Sequence, residues 1–292
     1  MTCGNTKPVC ATLAGDFRRA CINILAGQAI EEDVMKDHAQ VKDAYTAYGE
    51  IWGDVYDEYV EALNESVENA RAVNFLTPFA RNGTTLELGV GNGHIALPLS
   101  ATGASVHGLD NSQRMLASLR AKAGGDLVTT HLGDMAEFDL GTQYDLVYCV
   151  NSTFSLMVTV GQQIGCFESV AKSLKPDGRF VVHLYYPDTE NFSGAGFYGD
   201  QRTTVIHIDE RRAMVRFTRH DRPRQLFVSQ DLWITPGGSR TMPIKMRYVY
   251  PTELDLLAKI SGLELLERYG DWHRRPFDNA SWQYMSVFRK TP

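Results

Sequence analysis

The sequence predicts an α/β protein: a seven-stranded, mostly parallel sheet with helices on both faces, an N-terminal helical arm and an antiparallel β insertion. Three observations carry this. Between residues 84 and 188, short apolar, β-branched or aromatic runs alternate with helical patterns. After Pro187 the pattern changes to alternating strand without intervening helix. The chain then closes on one helix and two strands. Parallel neighbours need crossover helices, which only the first region supplies, so the parallel core belongs there.

The elements follow in order. Residues 1–10, with Gly4, Asn5 and Pro8, are expected to fray, and 12–40 to be helical. An aromatic segment follows, with Tyr45, Tyr48, Trp52, Tyr56 and Tyr59 at helical spacing. Residues 66–77 place Val67, Ala70, Val73 and Leu76 on one helical face, and Pro78 is expected to end or kink that helix. Strands are expected at Thr85–Leu88, Ser105–Leu109, Leu127–Leu132, Tyr144–Val150 and Arg179–Tyr185, with helices at Ser112–Lys122 and Gln162–Leu174 between them. Lys175-Pro176-Asp177-Gly178 reads as the turn after the second helix. Residues 203–250 read as a meander of three or four strands, broken at Asp209-Glu210, Arg222-Pro223 and Pro236-Gly237-Gly238. A helix at Thr252–Ser261, capped by Thr252 and closed by Gly262, precedes strands Glu264–Tyr269 and Tyr284–Arg289. The expected division is 1–65 helical arm, 66–190 core, 191–250 insertion and 251–292 completion of the core sheet.

Composition narrows the function. The chain has 292 residues, 43% hydrophobic and 22% charged, which is ordinary for a globular enzyme. Its net charge of −6 argues against nucleic acid, whose phosphates call for a basic footprint. The five cysteines, Cys3, Cys10, Cys21, Cys149 and Cys166, are odd in number and show no CxxC spacing, so neither a disulfide framework nor a metal site is expected. No apolar run reaches the roughly 18 residues of a membrane span. The first 27 residues do not read as a signal peptide. The expected compartment is the cytoplasm.

The chemistry concentrates in LELGVGNGHIALPLSATGASVHGLDNSQRML. Glu87 lies near the end of the first strand, and Gly89, Gly91 and Gly93 follow before a helix. Twenty-three residues after Glu87, Asp110 ends the second strand. Glycines admit a ligand close to the backbone, helix N-terminal amides face it, and a carboxylate after the second strand can accept both hydroxyls of a ribose. A dinucleotide fingerprint needs Gly or Ala at the sixth position of GxGxxG, where this chain has His94.

The resulting ExGxGxG pattern resembles motif I of the class I S-adenosylmethionine (SAM) dependent methyltransferases. Further landmarks fall in register: Asp110 as the ribose acid, Gly133-Asp134-Met135 as the adenine turn, YDLVYCVNSTF as motif IV, and LKPDGRFVVHLYYP as the segment after it. The resemblance covers residues 45–190 and the last forty. It implies a Rossmann-like seven-stranded methyltransferase sheet, SAM as cofactor, S-adenosylhomocysteine as product, and no metal. It implies cofactor binding by Tyr56, Glu87, Gly89, Gly91, Gly93, Asp110, Asn111, Met115, Gly133, Asp134, Met135, Val150 and Asn151. VYDEY before motif I resembles the sugar N,N-dimethyltransferases of natural-product pathways, in which a tyrosine of this segment covers the SAM carboxylate. Tyr56 is assigned that place.

A methyl sulfonium is already activated, so such an enzyme mainly aligns the reactants, excludes water and supplies a base if one is needed. The acceptor is expected beyond the carboxyl ends of strands four to six. Ser152, Tyr185, Trp272 and Arg274 are the candidate substrate-binding residues, and His183, His273 and Tyr186 the candidate catalytic ones. Each has a plainer reading beside it: His183 as a satisfied strand histidine, His273 as a surface residue. The insertion is expected to form a lid or a homodimer contact, and the cofactor site to be complete without it. Its Arg211, Arg212, Arg216, Arg219, Arg222 and Arg224 read as a solvated face or as recognition of an anionic acceptor. The expected function is methyl transfer from SAM to nitrogen or oxygen of a small, specialised metabolite. The alternatives are a C-methyltransferase on a small anionic acceptor and a non-catalytic SAM-binding protein. No membrane partner is expected.

Overall fold

The structure is a computed structural model that describes residues 48–187 and 201–291, apart from residues 54, 64, 81 and 82. The expected fraying of 1–10, the helix at 12–40, Cys3, Cys10, Cys21 and Tyr45 lie outside the described residues.

The core is a seven-stranded sheet in the order β3-β2-β1-β4-β5-β11-β10. Its strands are β1 (Thr84–Leu88), β2 (Ser105–Asp110), β3 (Val128–Leu132), β4 (Tyr144–Cys149), β5 (Leu174–Tyr185), β10 (Leu263–Tyr269) and β11 (Gln283–Lys290). Neighbours from β3 through β5 are parallel, and β11 runs antiparallel to both β5 and β10. This is the expected mostly parallel sheet with an antiparallel last strand. Strand order reverses between β1 and β4, so the carboxyl ends of these strands open a crevice there. Helices cover both faces, which is why β4 is almost entirely buried rather than alternating. One apolar cluster joins Phe154, Phe167, Phe180 and Phe288 beneath the sheet; the other joins Phe75, Leu76, Leu99 and Val181 above it.

Local chemistry sets the helices. α1 is Tyr56–Ala62 and α2 is Glu65–Ala80. α2 runs past Pro78 instead of ending there, because a proline in the last turn removes a single backbone bond. α3 (Ala96–Ser100) follows the glycine loop. α4 (Gln113–Ala121) is capped by Ser112, whose hydroxyl accepts from Met115 N–H. α5 (Val160–Ser173) begins with a Thr159/Gln162 capping box. α6 (Pro251–Ile260) starts with Pro251 as its first residue and Tyr250 as its cap, so Thr252 lies inside the helix and does not cap it. Lys175–Gly178 is not a free turn. It belongs to β5 as an irregularity, the four residues between Leu174 and Arg179 standing opposite the single Asp145 between Tyr144 and Leu146.

The insertion is a separate four-stranded antiparallel sheet: β6 (Gln201–Ile208), β7 (Ala213–Asp221), β8 (Leu226–Thr235) and β9 (Gly238–Arg247). Its period of two presents Met214, Trp233, Met242 and Ile244 to one face. These pack with Trp52 and Met115, and with Tyr48, Tyr56 and Tyr59, in a third apolar cluster. Arg247 anchors the end of the sheet to the core, donating to Gln163 Oε1 (2.7 Å), Gln225 Oε1 (2.9 Å) and Glu253 Oε1 (2.6 Å).

On the inner face Arg216 stands directly opposite Asp231. Its Nε and terminal nitrogen donate to the two carboxylate oxygens at 2.7 and 2.6 Å, and Asp231 is fully buried. Of the six insertion arginines, Arg212 and Arg224 also pair within the sheet, with Asp209 and Asp221. Removing one partner of a buried pair strands the other charge. Asp231→Ala should therefore cost about 3 kcal/mol in urea unfolding. Arg224→Ala, at an exposed pair, should cost less than about 1 kcal/mol.

Candidate active site

The cavity lies at the carboxyl edge of β1, β2 and β4, where the strand order reverses. Its wall includes Gly89 and Gly91 after β1, Leu109, Asp110 and Asn111 at the end of β2, and Gly133 and Met135 after β3. Asn151, Thr153 and Leu156 follow β4, Met115 comes from α4, Tyr48, Gly49 and Tyr56 from the N-terminal segment, and Met246 from β9.

The glycine loop is built from left-handed backbone. Gly89, Gly91 and Gly93 have φ of +70°, +54° and +89°. A Cβ on Gly89 would come within 2.3 Å of Thr153 Cγ2, whereas one on Gly91 would meet nothing within 4 Å and would point into open space. The loop brings Gly91 N–H onto Asp110 Oδ2 at 2.8 Å, and Ser112 N–H donates to Oδ1 at 2.9 Å. Burial nevertheless holds the Asp110 carboxyl above its ordinary range, against the amides of Ser112, Gly91 and Asn111. A carboxylate still short of donors in a cavity wall suits a ligand that brings a pair of hydroxyls.

The N-terminal segment lies against α4 through two glycines. A Cβ at Gly49 would sit 2.3 Å from Ser112 Cβ, and one at Gly53 2.7 Å from Arg114 Cδ. Asp57 latches the next turn, accepting from Asn92 Nδ2 (2.9 Å) and Lys122 Nζ (2.7 Å) and pairing with His94 (2.8 Å). This brings Tyr48 and Tyr56 to the cavity. Burial first, and then neighbouring tyrosines and carboxylates, push both phenols well above their ordinary pKa, so both are neutral donors.

After β4 the chain makes a sharp corner, with Asn151 and Ser152 at φ of +55° and +57°. His183 of β5 holds it. Its Nδ1 accepts from Asn151 N–H at 3.0 Å, which makes Nε2 the protonated nitrogen, donating to Gln283 Oε1 at 2.9 Å. Ser152 Oγ accepts from Tyr185 N–H at 2.9 Å, and Asn151 Nδ2 donates to Asn69 Oδ1 of α2 at 3.0 Å.

Of the sequence-derived cofactor set, the cavity gathers Tyr56, Gly89, Gly91, Asp110, Asn111, Met115, Gly133, Met135 and Asn151. Glu87, Gly93, Asp134 and Val150 are not in its wall. Glu87 is buried behind the loop, accepting from Tyr148 Oη at 3.1 Å. Asp134 Oδ1 instead caps the Ala136 amide. Sequence reasoning did not assign Tyr48, Gly49, Leu109, Thr153, Leu156 or Met246 to the site. Tyr48 and Thr153 stand in segments already singled out, but Met246 has no motif. Among the described residues, Met246 is the one residue of the insertion in the cavity wall.

The catalytic and acceptor assignments change more. His183 is a buried strut with both nitrogens committed, and burial lowers its pKa to about 4, so it is not placed as a base. Trp272 is core, its ring 5.5 Å from Phe75 and 4.5 Å from His183. That insertion turns His273 to the surface and lays the Arg274 guanidinium over Phe75, Phe79 and Tyr269, away from the cavity. Ser152 is buried. Tyr185 and Tyr186 remain exposed at the end of β5, Tyr185 stacked on Trp282 at 5.6 Å and Tyr186 beside Phe277 and Tyr250. Among the described residues no group of three or more His, Cys, Asp or Glu side chains gathers as a metal site, and no helix is long and apolar enough to cross a membrane.

This sheet order with a glycine loop facing a ribose-ready carboxylate defines a nucleoside-binding methyltransferase fold. Residues 85–178 match the methyltransferase domain family Methyltransf_25. The chain is similar to the cypemycin N-terminal methyltransferase of a Streptomyces species, 26% identical over 71% of this chain and 83% of that one. It is also similar to the dTDP-4-amino-2,3,4,6-tetradeoxy-D-glucose N,N-dimethyltransferase of Saccharopolyspora spinosa, 28% identical over 52% of this chain and 56% of that one. The solved CcbJ methyltransferase of Streptomyces caelestis superposes with a TM-score of 0.77 at 33% identity, over 85% of this chain and 99% of that one. The chain belongs to the SAM-dependent methyltransferases and is an enzyme of that family.

The cavity residues fit SAM: Asp110 would take the ribose, Leu109, Met115 and Met135 supply apolar wall, and Tyr48, Tyr56 and Asn151 supply polar groups for the amino-acid end. When bound, SAM supplies the activated methyl group.

Asp110→Ala removes charge-assisted bonds worth roughly 1.5–3 kcal/mol each, so calorimetry should find SAM affinity at least about tenfold lower. Undiminished binding would refute the ribose role. His183 gives a pH prediction. Its folded pKa is depressed below the unfolded value near 6.5, so its contribution is complete above that value and is lost as pH falls towards about 4. Between pH 7 and pH 5 the parent should lose about 2 kcal/mol of stability through this group, a loss that His183→Gln should not show.

Proposed function

We propose that this enzyme methylates an amine nitrogen of a small natural-product acceptor, an aminosugar or another amine-bearing metabolite. The observation that carries the reading is the roof over the cavity. The insertion sheet packs on the aromatic segment, and Met246, Tyr48 and Tyr56 from these two pieces line the cavity beside the glycine loop. A roofed site of this kind excludes water and takes a small acceptor. Nitrogen is supported by the relatives, whose names specify a peptide N-terminus and the amino groups of dTDP-linked sugars.

The protein's own residues would orient the acceptor and keep water out. Tyr48 and Tyr56 face the cavity as neutral hydroxyls, and Asn151 is fixed on two sides by His183 and Asn69. A nitrogen acceptor needs no strong base, only a neutral lone pair aligned with the methyl group.

The test is incubation with SAM and a matched panel of aminosugars, amino-terminal peptides, hydroxylated analogues and small acids, read by mass. Gain of one or two methyl groups confined to the amines is expected. Methylation confined to hydroxyl or carbon would overturn the nitrogen assignment.

A further inference from the structure

Outside the cavity wall, at the edge of the core sheet, lies a cluster that methyl transfer does not use. β3 is the edge strand and pairs in parallel with β2, Leu109 opposite His131 and His107 opposite Thr129. His107 and His131 are therefore diagonal neighbours on one face of the sheet. His107 Nδ1 stands 3.1 Å from His131 Nε2. Tyr144 Oη, from the first residue of β4, stands 3.3 Å from the same Nδ1. The imidazole centroids are 5.2 Å apart with their planes 21° apart, and the Tyr144 ring meets His107 edge-on at 5.4 Å.

Hydrogen bonding alone serves this convergence poorly. His107 Nδ1 carries either one proton or one lone pair, and two heteroatoms compete for it. Both rings are half-buried and reachable from solvent, whereas Tyr144 is fully buried and holds its hydroxyl in place beneath them. Burial, and for His107 the neighbouring ring as well, lowers the pKa of both imidazoles, so both are neutral at pH 7. Among the described residues no lysine or arginine contributes to either shift, so no positive charge there opposes a cation.

The spacing suits a metal ion. Bonds of about 2.0–2.1 Å from zinc to imidazole hold two nitrogens about 3.3 Å apart at the tetrahedral angle. The separations of 3.1 and 3.3 Å are of that size. The proton between the rings has only to move to the outer nitrogen of the ring that held it, which frees both inner lone pairs without loss of a proton. Imidazole nitrogen selects zinc or copper(II) over the oxygen-preferring magnesium and calcium.

We propose that His107, His131 and Tyr144 form a binding site for a nitrogen-preferring divalent metal ion, zinc or copper(II), with water completing its coordination. The site is independent of the N-methylation reading. Its role is that of a clamp: it ties edge strand β3 to β2 three residues before Asp110 and two before Gly133, both in the cavity wall. With two imidazoles and a phenol it has fewer strong ligands than a closed structural zinc site, so micromolar affinity is expected.

The test is calorimetric titration of the metal-free enzyme with zinc chloride at pH 7, with magnesium chloride as the control. The parent should bind one zinc ion at this site, and its unfolding midpoint should rise by about 5 °C at a hundredfold excess over Kd. His107→Asn and His131→Asn should each bind at least about tenfold more weakly and lose the midpoint shift, and Tyr144→Phe should lose affinity by a smaller factor. His273→Asn, on a surface loop, should bind as the parent does. Diethyl pyrocarbonate footprinting of the parent needs no variant: zinc should protect His107 and His131 and leave His273 reactive. Zinc binding that is equal in the parent and both histidine variants, unchanged affinity in Y144F, no binding in the micromolar range, or no protection of the two rings overturns the proposal.

Discussion

The site depends on a single carboxylate capped by backbone amides. Asp110 ends β2 inside the protein, with Gly91 N–H on one oxygen and Ser112 N–H on the other. For the first contact the chain leaving β1 must fold back over β2, which it does through three glycines in left-handed conformation. For the second, α4 must begin at once, which Ser112 secures as its cap. Loop, carboxylate and helix are thus one mechanical unit. The surrounding sheet supplies the low-dielectric burial that leaves Asp110 short of donors.

The insertion and the N-terminal segment form a second unit. Neither has a sufficient core of its own. Trp52 finds its burial between Met115 and the inner face of the insertion sheet, where Met214, Trp233 and Met242 also lie. The arrangement ties acceptor access to cofactor enclosure, since Tyr48, Tyr56 and Met246 belong both to this cluster and to the cavity wall. The Arg216–Asp231 pair at its centre positions a guanidinium beside Tyr59.

Most of the parallel core was legible in the sequence because it rests on short-range signals. β1, β2 and β4 each announced themselves by apolar runs. The cofactor half of the site was legible for the same reason: glycines and a carboxylate at fixed spacing encode a backbone path. The acceptor half was not. His183, His273, Trp272 and Arg274 were nominated by position at the sheet's edge, yet whether a side chain faces a cavity or a core depends on what packs against it. Trp272 enters between Phe75 and His183, which leaves His273 and Arg274 outside the cavity, while Asn151 and Gln283 take up both nitrogens of His183. Met246 becomes visible only once the insertion meets the core, more than a hundred residues of chain after the glycine loop.

The central claim is that the nucleoside of SAM is held by Asp110 under a roof made by the aromatic segment and the insertion. A crystal structure with S-adenosylhomocysteine bound tests it most directly. The account predicts ligand density in this cavity, ribose hydroxyls within hydrogen-bond distance of the Asp110 carboxylate, and Tyr48, Tyr56 and Met246 in contact with the ligand. Density at another place, or a ligand here whose ribose is out of reach of Asp110, would contradict it.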